Sequence, residues 1–420
     1  MKAQLLLVNG RVATLKGFSS KPQRGSDLGK LGIVPDGAVA VTEGNILAVG
    51  SLAEVLAQVD ITPETKVEDV GGRLVTPGLV DPHTHVVHYG SREQEYELRL
   101  KGTPYIEILK AGGGILRSVQ HTRQASVADL VSQSAKSLRR MLEFGVTTVE
   151  AKTGYGLDTE NELKQLEAIQ VLGISQPVRL VPTFLGAHAI PAQYKQNSDA
   201  FVDLVIQEML PQAAKLSRFC DVFCEDHVFS VDQSRRILLA AKKLGLGLKL
   251  HADELAPTGG AQLAVELGAV SADHLLCVDS QGIEALADSN TIAVLLPGTS
   301  FNLMTGRYAP AKEMLERGVA IALSTDYNPG SCPTENLQLI MTLGCLKLGL
   351  TPAQVLAAVT INAAHALELA DKIGSLEPGK AADITIFDAD NEAYLPYHFG
   401  INHVWKVFVS GRELISRTNL

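Results

Sequence analysis

The chain is poor in cysteine, with five in 420 residues, and the five positions 220, 224, 277, 332 and 345 are odd in number and scattered. That pattern excludes a disulfide framework and suits a reducing compartment. Cys220 and Cys224 sit in the strand-like run Phe219–Glu225 with no second pair after them, so they read as core residues. Lysine and arginine form no cluster, and the net charge is −9. A nucleic-acid partner is thereby excluded, because neutralising phosphates needs a basic face. Long apolar runs are missing too. Leu5–Val8 before Asn9-Gly10 is too short for a signal peptide or a membrane span, so a soluble, cytoplasmic protein without membrane contact is expected. A Gly-rich phosphate turn between strand and helix is also lacking, since Gly112-Gly113-Gly114 follows a helix-like segment.

What is present is an ordinary globular balance, 46% hydrophobic and 20% charged. Both ends of the chain are β-rich. Ala3–Val8, Gly37–Val41, Ile46–Val49 and Lys66–Val70 are short runs between turn signals, and Ala382–Phe387 and Val404–Val409 repeat the pattern late in the chain. The middle alternates. Strand candidates Gly78–His85, Thr147–Lys152, Val178–His188, Asp221–Glu225, Leu246–Glu254, Val270–Leu275, Ile292–Pro297 and Ala320–Asp326 are separated by helical stretches such as Ala128–Glu143, Glu160–Leu172, Ala200–Lys215, Asp232–Leu244, Gly259–Leu267 and Ser280–Ala287. Eight strands with helical crossovers predict an α/β fold, a (β/α)8 TIM-like barrel over residues 74–370. Residues 1–73 and 371–420 are expected to build one composite small β domain.

Asp81-Pro82-His83-Thr84-His85 ends the first of these apolar runs. Side chains at i and i+2 on a strand point the same way, so His83 and His85 converge. Alone, the pair is either half of a metal site or two polar loop residues. The other strand ends decide between them: His188, His251 with Glu254, His274 and Asp326 fall there, so that five of the eleven histidines gather where barrel enzymes place their chemistry. The favoured ligand set is His83, His85, His251 and Asp326, whose three nitrogens and one carboxylate suit Zn²⁺ or iron and leave a position open for water. Asp326 is the candidate general base, and its alternative is a turn former before Asn328-Pro329-Gly330. His274 is the candidate for polarising a carbonyl or an oxyanion, against a core histidine. Lys152 raises a second possibility, a modified lysine bridging two metals, but Glu225 on the fourth strand has no such lysine beside it and one metal is favoured. His121, His227, His365, His398 and His403 read as surface or structural.

Pro77–His85 together with His251, His274 and Asp326 resembles the amidohydrolase superfamily of metal-dependent hydrolases. Ala111–Ile115, Glu150–Leu157, Thr183–Ala189 and Ser324–Ser331 are similar to those members that open the ring of 4-imidazolone-5-propanoate in histidine degradation. The resemblance implies a small-molecule substrate, one divalent metal per chain (Zn²⁺, Fe²⁺ or Fe³⁺) and a product N-formimidoyl-L-glutamate. It implies substrate contacts at Arg92, Tyr155, His188 and Glu254, the last also a catalytic candidate, and a carboxylate-holding loop at Asn328, Gly330 and Ser331. A homodimer is compatible with it. On sequence alone Arg92 is a solvated charge in the run Arg92–Glu97. His88, Tyr89, Thr153 and Arg117 depart from the pattern, and His88 and Tyr89 stand where they would alter the pocket mouth. The alternative is a deaminase of an aromatic base on the same metal site; a barrel that has lost catalysis fits less well, since every expected ligand is present.

Overall fold

A computed structural model describes residues 1–103, 107 and 113–417. Ala111 and Gly112 of the triple-glycine segment lie outside the described residues. Strands β1 Leu5–Ala13, β2 Ile33–Thr42, β3 Asn45–Ser51, β4 Lys66–Asp69 and β5 Leu74–Pro77 come first. Strands β6 Leu79–Asp81, β7 Val146–Lys152, β8 Arg179–Ala187, β9 Phe219–Cys224, β10 Gly247–Ala252, β11 Ser271–His274, β12 Ile292–Leu295 and β13 Ile321–Leu323 occupy the middle. β14 Ile384–Phe387, β15 Val404–Val409 and β16 Arg412–Ser416 end the chain.

The chain's two ends form one mixed sheet, in the order β16-β15-β14-β5-β1-β2-β3 with β4 also on β1. Its strands alternate as half-buried strands must. Leu5 and Leu7 pack with Val39, Val41, Ile384, Ile386 and Phe408. Leu6, pointing the other way, packs with Ala38, Ala40, Ala48 and Val55. Val55 belongs to the short helix Leu52–Leu56, started by a reciprocal capping box between Ser51 and Glu54.

The middle strands run in parallel, β6 to β13 in chain order. Helices connect them, and the expected ones are present except for one. Val127–Glu143, capped by Ser126 and Asp129, buries Leu130, Leu138, Met141 and Leu142, one apolar stripe against the strands. The stretch expected as one helix at Ala200–Lys215 is instead Ser198–Leu204, a π-helical turn Val205–Met209, and Leu210–Ala213. Pro211, which has no N–H for the preceding turn, accompanies the widened segment. Among the described residues no helix is long and apolar enough to cross a membrane.

Two local features position the site. Leu74–Pro77, counted with the barrel segment on sequence, hydrogen-bonds into the terminal sheet through β14, and the chain crosses from sheet to barrel at Gly78. A side chain there has no room, because a Cβ on Gly78 would lie 2.2 Å from Thr147 Oγ1. The first barrel strand is also shorter than the expected Gly78–His85. It ends at Asp81, because Pro82 has no N–H to extend the ladder. The extended His83–His85 segment instead closes the barrel on its last strand. Thr84 pairs with Tyr327, the Asp326 N–H donates to the His83 carbonyl at 3.1 Å, and the His85 N–H donates to the Tyr327 carbonyl at 2.9 Å.

Gly78→Ala is expected to lower stability by about 1–3 kcal/mol through overpacking. Adding Thr147→Gly should restore part of the loss in a urea melt. An unchanged midpoint for Gly78→Ala would contradict this close packing.

Candidate metal centre and active site

His83, His85 and Asp326 stand on either side of the barrel seam, His251 is the penultimate residue of β10, and His274 ends β11. The ligand atoms of His83, His85 and His251 lie within 4.8 Å of one another, as do those of His83, His274 and Asp326. His83 Nε2 is 3.5 Å from Asp326 Oδ1, and His85 Nε2 is 3.6 Å from the same oxygen. The second Asp326 oxygen accepts a hydrogen bond from Thr299 Oγ1 at 2.5 Å. His83, His85, His251, His274 and Asp326 are all at most 3% exposed. Yet Nε2 of His83, His251 and His274 has no hydrogen-bond partner among the described residues. Leaving such atoms buried and unpaired costs about 1–3 kcal/mol each. A divalent ion coordinated there relieves the cost, so the residues fit the group. Backbone strain marks the same place: His274 and Asp326 hold φ of 77° and 52°, the left-handed region.

The imidazoles are aimed by carboxylates the sequence reading did not single out. His83 Nδ1 faces Asp273 Oδ2 at 2.5 Å, and His251 Nδ1 faces Asp221 Oδ2 at 2.9 Å. The His83 contact is a hydrogen bond that places the proton on Nδ1 and turns Nε2 inward, while the Asp221 carboxylate lies beside His251 Nδ1 as an ion-pair neighbour. Lys152 Nζ donates to Asp221 Oδ2 at 2.7 Å and to Glu150 Oε1 at 2.9 Å, and lies 3.8 Å from Asp273. Lys249 Nζ lies 3.3 Å from Glu150 and donates to the Pro82 carbonyl at 2.9 Å. Lys152 is thus an ion-paired member of this network. Its ammonium is held charged, its pKa raised because Asp221, Glu150 and Asp273 outweigh burial. One signal in the sequence could have found the network: charged residues at period two inside apolar strands, Glu150 and Lys152 on β7, Lys249 and His251 on β10.

Burial pushes the pKa of His83, His85 and His274 well below the usual imidazole range, keeping them neutral and ready to coordinate. His251 goes the other way; burial opposes the rise, but the Asp221 carboxylate outweighs it. Burial pushes Asp326 up to about 6. Burial, then repulsion from Asp326, pushes Glu254 up to about 8.

A cavity of about 540 Å³ opens onto these groups. His85, Arg92, Tyr155, His188, Glu254, Asn328, Gly330 and Ser331 all line it, with His251, His274 and Asp326. The structure therefore brings every site residue read from sequence to one cavity or to the histidine cluster at its floor. Phe223 lines it as well, and nothing in its sequence neighbourhood marked it. His188 stacks on His85, with centroids 4.8 Å apart and planes at 15°. Tyr155, 3% exposed, meets both rings at 5.8 and 5.4 Å. Arg92 is not a solvated charge. Its Nε and Nη2 donate to Glu95 Oε2 at 3.0 and 2.7 Å, and a Cβ on Gly330 would lie 2.1 Å from its Nη1. Asn328 is occupied within its own loop, accepting from the N–H groups of Gly330 and Ser331 and donating to Ser331 Oγ. His88 Nδ1 donates to the His85 carbonyl at 2.9 Å. Among the histidines set aside, His227 is an exposed side chain and His365 donates to the Phe18 carbonyl.

The Amidohydrolase family profile matches residues 74–414, and the chain belongs to that family. Its relatives carry a narrower name. It is 56% identical over 402 residues to the imidazolonepropionase of Alkaliphilus oremlandii, covering 95% of each chain. It is 55% identical over 410 residues to the imidazolonepropionase of Alkaliphilus metalliredigens, covering 97% of this chain and 96% of that one. For the imidazolonepropionase of Brevibacillus brevis the identity is 52% over 413 residues, with 98% and 97% covered. Among solved structures the chain is similar to an adenosine deaminase from Xanthomonas campestris with bound zinc, at TM-score 0.71, 19% identity and coverage of 99% and 93%. It is also similar to a 5-methylcytosine deaminase from Klebsiella pneumoniae, at TM-score 0.73, 18% identity and coverage of 99% and 98%. At such identities the shared property is the fold.

Two outcomes are expected. Asp273→Asn should weaken divalent-metal binding by about 10- to 100-fold in a chelator competition, as loss of an orienting partner does. Because the His251 pKa is raised, metal must displace its proton. Metal affinity should therefore rise with pH by up to about tenfold per unit below that pKa and level off above it. Asp221→Asn removes the raising charge and should move the levelling point to lower pH.

Proposed function

We propose that the chain opens the cyclic amide ring of 4-imidazolone-5-propanoate with water, giving N-formimidoyl-L-glutamate in histidine degradation. The observation that carries this reading is 52–56% identity, over nearly the whole of both chains, to proteins named imidazolonepropionase. The convergence of both residue sets in a single cavity supports it.

The chain's own groups divide the work. His83, His85, His251 and Asp326 would hold one ion, zinc or iron. When bound, such an ion acts as a Lewis acid and lowers the pKa of water to about 7. Asp326 takes up the proton of the attacking water, its far oxygen held by Thr299. His274 faces the reacting carbonyl beside Glu254, whose Oε1 lies 3.6 Å from His274 Nδ1. With a pKa pushed up to about 8, Glu254 carries a proton at neutral pH that it can pass to the leaving ring nitrogen. Arg92 supplies a cation for the propanoate, oriented by Glu95. Tyr155 and His188 bound the flat ring, and the Asn328–Ser331 loop closes the cavity beside Arg92. The reading extends to a cytoplasmic location and a homodimeric assembly. A deaminase on the same site is less well supported, because the deaminases among the neighbours are 18–19% identical and speak only for the fold.

The test is ultraviolet-monitored loss of 4-imidazolone-5-propanoate, with metal content measured in parallel. Metal-loaded enzyme should consume the substrate without releasing ammonia. His251→Ala should lose metal and at least about 100-fold in kcat/KM. A fully loaded preparation that leaves the substrate intact would sink the assignment, and full activity in His251→Ala would sink the ligand set.

A further inference from the structure

Beyond Thr153, whose N–H still donates to the Thr183 carbonyl of β8 at 3.0 Å, the segment Gly154–Leu157 carries Tyr155 over the cavity with no strand partner for its N–H groups. Its backbone donors point away from the cavity, toward the helix Thr159–Ser175. The N–H of Gly154 donates to Glu162 Oε2 at 3.1 Å. The N–H groups of Gly156 and Leu157 both donate to Glu162 Oε1 at 2.8 Å. The Tyr155 N–H donates to Gln165 Oε1 at 3.1 Å, and Gln165 Nε2 donates in turn to the Val87 carbonyl at 2.6 Å. Four successive backbone donors are therefore taken by two side chains one turn apart on the same face of one helix. Glu162 and Gln165 are fully buried.

The loop's geometry is adapted to this carboxylate. Gly154 and Leu157 have φ of 110° and 53°. A Cβ on Gly156 would come within 2.4 Å of the Glu162 amide nitrogen, so only glycine lets the loop approach so closely. The opposite side of the loop reaches a second pocket residue, because His188 Nδ1 donates to the Gly154 carbonyl at 3.0 Å. That bond puts the His188 proton on Nδ1 and leaves Nε2 as an acceptor. A buried carboxylate accepting three backbone N–H bonds resists displacement, since charge-assisted bonds of this kind are among the stronger ones. Burial raises the Glu162 pKa, and these bonds together with Thr153 pull it back toward the ionised form.

We infer that Glu162, with Gln165, is a positioning residue for substrate recognition: its buried carboxylate fixes the Gly154–Leu157 backbone, and through it the Tyr155 ring and the His188 tautomer. Neither residue reaches the cavity, and neither belongs to the metal-holding set. Its loss is thus felt in how the ring is gripped and not in whether metal is held. The inference rests on the proposed substrate only for its kinetic half.

The test compares metal-loaded wild type with Glu162→Gln, which keeps size and shape but turns an NH₂ donor toward backbone donors. Amide hydrogen exchange at Gly154, Gly156 and Leu157 should accelerate at least about tenfold in the variant, while metal content stays at the wild-type level. With 4-imidazolone-5-propanoate, KM should rise on the order of tenfold and account for most of the loss in kcat/KM. Gln165→Met, which leaves the Tyr155 N–H unpaired, should move the same readouts in the same direction by less, and serves if Glu162→Gln folds poorly. Unchanged exchange in the loop overturns the inference whatever the substrate. Faster exchange with an unchanged KM overturns its recognition half. A wild type that leaves this substrate intact overturns the proposed function instead, and the exchange measurement still decides whether Glu162 fixes the loop.

Discussion

Everything at this site depends on a cluster of charges buried in the barrel. Lys152 and Lys249 face Glu150, Asp221 and Asp273 with no exposure to solvent. Burying one such charge alone costs several kcal/mol, and breaking a buried pair by removing one partner costs about 3–5 kcal/mol. Two ammonium groups against three carboxylates leave one negative charge, and the two carboxylates nearest the histidines are the ones that aim His83 and His251. A divalent ion with the Asp326 carboxylate brings this interior to neutrality. The network that costs stability without its complement thus carries the surplus negative charge that a bound cation would offset.

The seam of the barrel matters as much as its charges. Three of the four proposed ligands lie where the last strand meets the first, across the pairing of Thr84 with Tyr327. Asp81 fixes this seam from below, accepting from the Thr325 N–H at 3.0 Å and from Thr325 Oγ1 at 2.6 Å. Closing the sheet and assembling the ligand set are therefore one event. Any slip in the register of that pairing would turn Asp326 away from His83 and His85.

Much of this was legible in the sequence because it is local. Apolar strands, helix caps and the histidines at strand ends announce themselves within a few residues. The partners do not. Asp273 and His83 are 190 positions apart, and Lys152 finds Asp221 across two strands, so no spacing rule connects them. Arg92 shows a different failure. Its partner Glu95 lies only three residues on, but the run Arg92–Glu97 reads as a wet helix face until the loop at Gly330 is seen to cover it. Leu74–Pro77 reads as the start of the barrel because its apolar run continues into β6; pairing with β1 on one side and with β14, more than 300 residues later, on the other assigns it to the other sheet.

That pairing has a consequence for how the molecule is made. β5 is hydrogen-bonded between β1 and β14, and β14 leaves a ribosome long after β5. Until then the N-terminal strands carry an unfinished edge, the kind of edge that invites pairing with a neighbouring chain. His83 and His85 emerge early, while Asp326 arrives some 240 residues afterwards. Between β5 and β14 the nascent chain carries an open strand edge, and until Asp326 it carries half an ion site. Vectorial folding can raise much of the barrel wall early, but the ion site waits for Asp326 and the edge waits for β14.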